Sequence, residues 1–449
     1  MKQLQPKYIK IKSFIVCILF ICVCIGCETE DTDGDGINDQ VDQCVTVKGK
    51  KPKGCPILPK IGKVTLYLET SASMNGYFGG TAAYKQIVTD LAVKIDKEIS
   101  PVSINFISDT IRGFPNNATA FSSHIATTKL AVDKSSQLHE IFKKIAINTK
   151  GQDVSIFISD CILSFPNKVV KANPNINKTA ANSTLKNNIY ATFIDLKNNR
   201  QAASLYAFSS QFFGTYYDYQ NVKTKLPGIV RPFYIWVIAK NNILPVFDDK
   251  LLKITDFKPE QSLHFGLIDN MVDQYHILTQ LGMVGEWALI KTDPKKGDVG
   301  IEEVNIEKDS PQEFYAAVDL SILPSYAQKA DYISKNLKLI QKGCTAEVSI
   351  KEKGNTDKLK SKKQKMFFAQ ATHILKVRIK NIQLDKAALR LTLPLQYDTW
   401  YQAWSTMDDR QIKTLGKKTF AFQYLIKGVM EAYNNTDKSF IDLKFQINQ

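Results

Sequence analysis

Short apolar runs alternate with stretches of helical periodicity from residue 60 to about 245. Residues 64–68, 102–107 and 154–158 are apolar runs of buried-strand length. Between them Ala83, Ile87, Leu91 and Ile95 recur at helical spacing behind Thr81, a capping residue type. Leu138, Ile141, Phe142 and Ile145 mark a second helix. Leu185, Ile189, Phe193 and Leu196 place a third over 179–198. Residues 205–208 and 232–238 read as further strands. Strand–helix alternation of this kind predicts an α/β domain over 60–245, a doubly wound, mostly parallel sheet covered on both faces. Ligands on such sheets bind at the carboxyl ends of the strands.

The pattern changes near residue 250. Leu375, Val377 and Ile379 alternate with Lys376, Arg378 and Lys380. Leu389, Leu391 and Leu393, and then Ile441, Leu443, Phe445 and Ile447, alternate with polar residues in the same way. This is the signature of half-buried antiparallel strands with one wet face. A helix over 419–433 turns Phe422, Leu425, Ile426, Val429 and Tyr433 inward. Residues 250–449 are therefore expected to form a β-rich α+β domain. The seven lysines between 351 and 365 suit either a solvated hairpin tip or an anionic glycan or phospholipid contact. Trp400, Tyr401 and Trp404 suit a core cluster or a sugar-stacking platform.

The first 26 residues follow another logic. Lys7, Lys10 and Lys12 precede an apolar run over 14–25, which is short for a bilayer span of about 20 residues and fits a signal-peptide core. The run ends in Cys24-Ile25-Gly26-Cys27, which resembles the lipobox of bacterial lipoproteins. The resemblance implies cleavage before Cys27, lipidation of Cys27 and an outer-membrane, surface-facing location. Over 31–42, Asp31, Asp33, Asp35, Asp39 and Asp42 stand at positions 1, 3, 5, 9 and 12 of a calcium-type loop. Gly36 stands at the turn, and Ile37 offers its carbonyl. With Cys44 and the Gly54-Cys55-Pro56 that follows, the stretch resembles a thrombospondin type 3 repeat. Residues 27–58 are thus expected to be a Ca²⁺-binding stalk, with Cys44 and Cys55 expected to pair as a disulfide in an exported chain. Cys161 and Cys344 are expected to be buried thiols.

Composition narrows the function classes. The 449 residues are 44% hydrophobic and 23% charged, which excludes a mainly disordered chain. The formal charge of +15 permits an anionic partner, but nothing in the sequence selects nucleic acid. No nucleophile elbow, Walker loop, His-Glu-x-x-His or Cys-x-x-Cys pattern occurs, so no enzyme activity is expected.

One set of residues carries a specific chemistry. The first strand ends in Glu69-Thr70-Ser71-Ala72-Ser73-Met74, and the run over 154–158 ends in Ser159-Asp160. Two hydroxyls at i and i+2 with flanking carboxylates suit a hard divalent ion. The set resembles the metal-ion-dependent adhesion site of von Willebrand factor A domains, with Glu69 where that family has Asp. The resemblance implies that Ser71 and Ser73 ligate Mg²⁺ or Mn²⁺ directly. Asp160 takes the later carboxylate position, and Ser136 or Ser135 stands where the family has a loop Thr. The function implied is metal-dependent binding of a protein or other envelope partner, for which the family leaves one coordination place open to the partner's carboxylate. The two rival expectations are a structural envelope component with a vestigial site and a hydrolase in the C-terminal region.

Overall fold

The computed structural model of the chain describes residues 37–38, 40–42, 59–80, 82–128, 130–131, 133, 137–267, 271–290, 298–304, 311–323, 326–351, 353, 359–433 and 439–449. The chain forms two compact units, one of residues 1–58 with 291–297 and one of residues 59–290 with 298–449. In the first, the described residues form a turn. Val41 and Asp42 donate their N–H groups to the Asn38 carbonyl, and the Asn38 side chain accepts from Gln40. Ile37 and Asp42 of the expected calcium loop are buried. Asp31, Asp33, Asp35 and Asp39, together with Cys27, Cys44 and Cys55, lie outside the described residues.

The larger unit is mixed α/β. Its main sheet has seven strands: β1 (Val64–Glu69), β2 (Val102–Ile107), β3 (Ile111–Gly113), β4 (Val154–Ser159), β5 (Gln201–Tyr217), β6 (Lys223–Lys240) and β7 (Gln261–Phe265). Their spatial order is β3-β2-β1-β4-β6-β5-β7. β1 pairs in parallel with β2 on one side and β4 on the other. All other neighbours are antiparallel. The expectation of a mostly parallel sheet is thereby corrected to a mixed one. The reason is local: β5 and β6 continue into each other as one long hairpin through a short turn, and a short turn can only reverse direction. The two runs at 205–208 and 232–238 are the middles of that hairpin.

Helices cover both faces of the sheet. On one side lie α1 (Ala83–Lys94), α2 (Ala118–Thr127) and a helix over Leu244–Leu252, whose Val88, Phe121 and Phe247 are packed against Leu66, Ile156 and Phe233. On the other lie α3 (Leu138–Asn148), α4 (Lys186–Asn198) and α5 (Phe422–Tyr433). The helix read over 179–198 is interrupted by a π-helical turn at Ala181–Leu185 before α4 begins. The sheet does not stop at residue 250: β7 adds to its edge, and α5 brings Phe422, Leu425, Ile426 and Val429 onto Tyr234, Trp236 and Phe193. The Phe422 and Tyr234 rings stack at 4.2 Å.

Among the described residues the remaining strands form a small parallel pair of β16 (Ser405–Thr406) and β17 (Thr419–Phe420) and two larger sheets. One has the order β12 (Lys338–Lys342), β15 (Lys386–Pro394), β18 (Ser439–Asn448), β10 (Gly300–Glu302), β9 (Ala288–Leu289). The other runs β13 (Cys344–Lys351), β14 (His373–Ile382), β11 (Gln312–Val318), β8 (His276–Ile277). Leu375, Val377 and Ile379 from one sheet and Leu389, Leu391, Leu443 and Phe445 from the other share a single core. The alternation read from the sequence therefore points inward and outward as expected. Trp400 and Tyr401 belong to the core under α5. Cys161 and Cys344 are buried free thiols. Among the described residues no helix is long and apolar enough to cross a membrane.

Between β1 and α1 a 3-10 segment (Ala72–Phe78) crosses the β5–β6 hairpin. A Cβ at Gly214 of β5 would come within 2.6 Å of the Gly76 Cα in that segment. Backbone against backbone cannot give way, so Gly214→Ala is expected to destabilise the unit by about 1–3 kcal/mol, as overpacking does. Chemical denaturation reads this as a lower midpoint at unchanged slope. An unchanged midpoint would contradict the close crossing.

Candidate metal centre

Each residue of the candidate site stands at the carboxyl end of a parallel strand. β1 ends at Glu69 and β4 at Ser159, and because the two strands run side by side, Ser71, Ser73 and Asp160 leave the sheet at the same edge. The Ser71 hydroxyl donates to Glu69 Oε1 at 2.6 Å. Ser71 Oγ and Ser73 Oγ are 3.0 Å apart, and Ser73 in turn bonds Asp160. Glu69, Ser71, Ser73 and Asp160 thus form one continuous polar chain. Glu69, Ser71 and Asp160 are buried.

Burial raises the Asp160 carboxyl most, and the neighbouring charge of Glu69 adds to it. The Ser73 hydroxyl, the Ile162 N–H at 3.3 Å and Arg231 pull it back, and the balance is about 7. Two carboxyls held together away from water repel each other when both are ionised. A proton relieves that repulsion, and so does a cation. The donor set of two carboxylates and two hydroxyls is all hard oxygen, which fits Mg²⁺, Mn²⁺ or Ca²⁺. Among the described residues no group of three or more His, Cys, Asp and Glu side chains converges as a metal cluster. The set has two carboxylates and relies on hydroxyls.

Ser136, the loop ligand expected from the resemblance, lies outside the described residues, as does Ser135. Asp133 of the same loop is placed. It bridges to Ser71 in parallel fashion, its N–H donating to the Thr70 carbonyl at 3.1 Å. Thr70 donates its hydroxyl to Asp133 Oδ2 at 2.5 Å, and Arg112 grips both carboxylate oxygens. Burial pushes the Asp133 carboxyl up, but Arg112 and Thr70 outweigh it and hold it below the usual carboxylate range.

A cavity of about 200 Å³ opens on this edge. Glu69, Ser71, Ser73 and Asp133 form one wall, and Asn177, Asp218, Tyr219 and Asn221 form the other. The second wall is the turn between β5 and β6. Asp218 Oδ1 accepts the N–H groups of Gln220 and Val222, which closes that turn, and Asn177 donates to the Tyr219 carbonyl at 2.8 Å. The turn is fixed from behind by buried Asp409, which accepts from Tyr216 Oη at 2.6 Å and from the Tyr219 N–H at 2.9 Å. Asp133, Asp218 and Asn177 were not read from the sequence. The Asp-Tyr-Gln-Asn run between two aromatic stretches is a hairpin-turn signal, but nothing local ties it to a site 150 residues earlier in the chain.

The backbone is strained beside the site. Cys161, directly after Asp160, has φ +55°, a conformation that costs a non-glycine residue about 1 kcal/mol or more. Its N–H donates to Ser159 Oγ, and its sulfur accepts from Trp236 Nε1 at 3.2 Å. These bonds hold the sharp turn that directs Asp160 toward Ser73. No family model matches the chain, and no curated protein matches it significantly.

Proposed function

We propose that the seven-stranded unit is a von Willebrand factor A-like domain that holds a divalent cation between Glu69, Ser71, Ser73 and Asp160 and engages a partner through it. The observation that carries this reading is the continuous Glu69–Ser71–Ser73–Asp160 chain at the joint edge of two parallel strands, opening into a cavity. When bound, the cation offers a Lewis-acidic position to a partner's oxygen ligand. The chain's own residues orient it. Ser159 and Trp236 fix the Asp160 turn, and the β5–β6 turn limits what can enter. A cavity of this volume accepts a single side chain or a small molecule, below the usual size of a drug-like pocket. Lipidation at Cys27 and a Ca²⁺-binding stalk over 27–58 complete the proposal as a surface lipoprotein of the outer membrane.

A second reading has its own support. The hydroxyls of Ser71 and Ser73 already have partners inside the chain, so a protonated Asp160 leaves a self-sufficient polar cluster. In that reading the site is vestigial and the protein structural. Calorimetric titration of Mg²⁺ and Mn²⁺ into the parent, Ser73→Ala and Glu69→Asp separates the two. A functional site binds in the parent and loses roughly tenfold or more with Ser73→Ala. A decayed site shows no heat in the parent, and Glu69→Asp does not restore it.

A further inference from the structure

The last strand of the main sheet carries a histidine whose tautomer is set by its neighbours. His264 of β7 lies opposite Ser204 of β5. Ser204 donates its one hydroxyl proton to Asp248 Oδ2 at 2.5 Å, an oxygen that can only accept. Ser204 Oγ lies 2.9 Å from His264 Nδ1, so it accepts there and the Nδ1 carries the ring proton. His264 Nε2 has no hydrogen-bond partner among the described residues, and in the neutral ring this nitrogen is an acceptor. Along β7, Leu263 and Phe265 face the core beneath α5, so His264 points to the opposite side, at the sheet's open edge.

That edge faces a cavity of about 530 Å³, larger than the one at the candidate metal centre and within the usual range for small ligands. Leu252 and Ile322, both exposed, stand at its rim with Leu267 and Leu323. Two of its four carboxylates are already matched, Asp249 by Lys253 and Glu260 by Lys417. Asp398 has no ion-pair partner among the described residues, and Asp248 stands behind Ser204. Lys329 is the one lysine or arginine among the described residues of the lining. In a chain of formal charge +15 this cavity is locally acidic, with an apolar rim.

We infer that the cavity between β7, the Leu244–Leu252 helix and residues 321–323 and 326–329 binds an organic amine with an apolar body, its ammonium donating to Asp398 and, in the neutral ring, to His264 Nε2, and its hydrocarbon lying on Leu252 and Ile322. The site is separate from the candidate metal centre and does not depend on a cation being bound there. The Asp398 carboxylate accepts and cannot donate, so the head group must be a donor. The positive charge is selected by Asp398, since a hydrogen bond to a charged group is worth more than one between neutral groups.

The test is calorimetry on the full chain with octylamine, octanol and octanoate as probes of equal chain length at neutral pH. Octylamine is expected to bind roughly tenfold or more tighter than either of the others. Asp398→Asn, which keeps the 3.2 Å side-chain bond to the Trp400 N–H, and His264→Leu are each expected to remove most of that advantage while octanol binding stays as it was. Equal binding of octanol and octylamine reduces the cavity to an apolar groove and overturns the proposal. So does preferential binding of octanoate, the absence of octylamine binding, or an amine preference that survives in both variants.

Discussion

A fragment of residues 59–246 is expected to lack a cooperative unfolding transition. It contains six of the seven main-sheet strands and every residue placed at the candidate metal centre, yet it leaves out α5 and β7. The inner face of α5 buries Phe422, Leu425, Ile426 and Val429 against the sheet and α4. Burial of one such side chain contributes about 1.5–3 kcal/mol, so the four together contribute on the order of 6–12 kcal/mol. That matches the whole stability of an ordinary domain, 5–15 kcal/mol. Removing β7 also bares the backbone edge of β5. The fragment should bind a hydrophobic dye and melt without a sharp midpoint. Cooperative melting within a few degrees of the full chain would show that α5 is dispensable. In the full chain, Phe422→Ala alone is expected to cost about 3–5 kcal/mol.

The second large effect concerns Mg²⁺ and pH. In the full chain at pH 8, Mg²⁺ at a hundredfold excess over its Kd is expected to stabilise the folded state by about 2.7 kcal/mol, or a few degrees. Asp160→Ala should abolish the shift. Without metal, the Asp160 carboxyl titrates near pH 7 when folded and near 3.9 when unfolded. Between those values the folded state holds a proton that the unfolded state lacks, so stability falls as pH rises through this window. His276 acts the other way. Burial lowers its imidazole to about 4, so its contribution grows as pH rises toward 6.5. The informative quantity is therefore the difference between the parent and Asp160→Asn. That difference should shrink from pH 4 to pH 7 as the parent loses stability. A difference independent of pH would show that Asp160 is not the group that titrates.

Much of this architecture is legible in the sequence where local pattern and burial agree. The runs at 64–68 and 154–158 are buried central strands, the run at 102–107 is a half-buried strand beside the edge, and the alternations at 375–379, 389–393 and 441–447 have the faces that period-2 spacing assigns them. Direction was harder to read. A buried strand is apolar whether its neighbour is parallel or antiparallel, so the β5–β6 hairpin passed for two strands of a parallel sheet. Length was hidden too, because the outer half of that hairpin breaks its apolar pairs, Phe212-Phe213 and Ile229-Val230, with Ser, Gln, Thr, Lys and Gly and carries no long apolar run. The boundary near 250 follows a real change of pattern, but the amphipathic 422–433 helix could not announce that its partners lay about 190 to 235 residues earlier. At the candidate centre the consecutive residues Glu69, Ser71 and Ser73 were readable as a motif. Asp133 and Asp218 reach the cavity through loops whose course only the assembled sheet decides.

The position of β1 has a mechanical consequence. The chain enters the larger unit at residue 59 and five residues later becomes the central strand of the parallel trio, in register with six residues of β2 and five of β4. Tension applied ahead of residue 59 therefore runs along β1 rather than across it. Both hydrogen-bonded ladders are loaded in shear, and their bonds must fail together rather than peel open one at a time. The cavity lies at the far end of the same strand, where Glu69 closes it. A pull between whatever holds the N-terminal segment and whatever occupies the cavity would be carried along a single buried strand, from end to end.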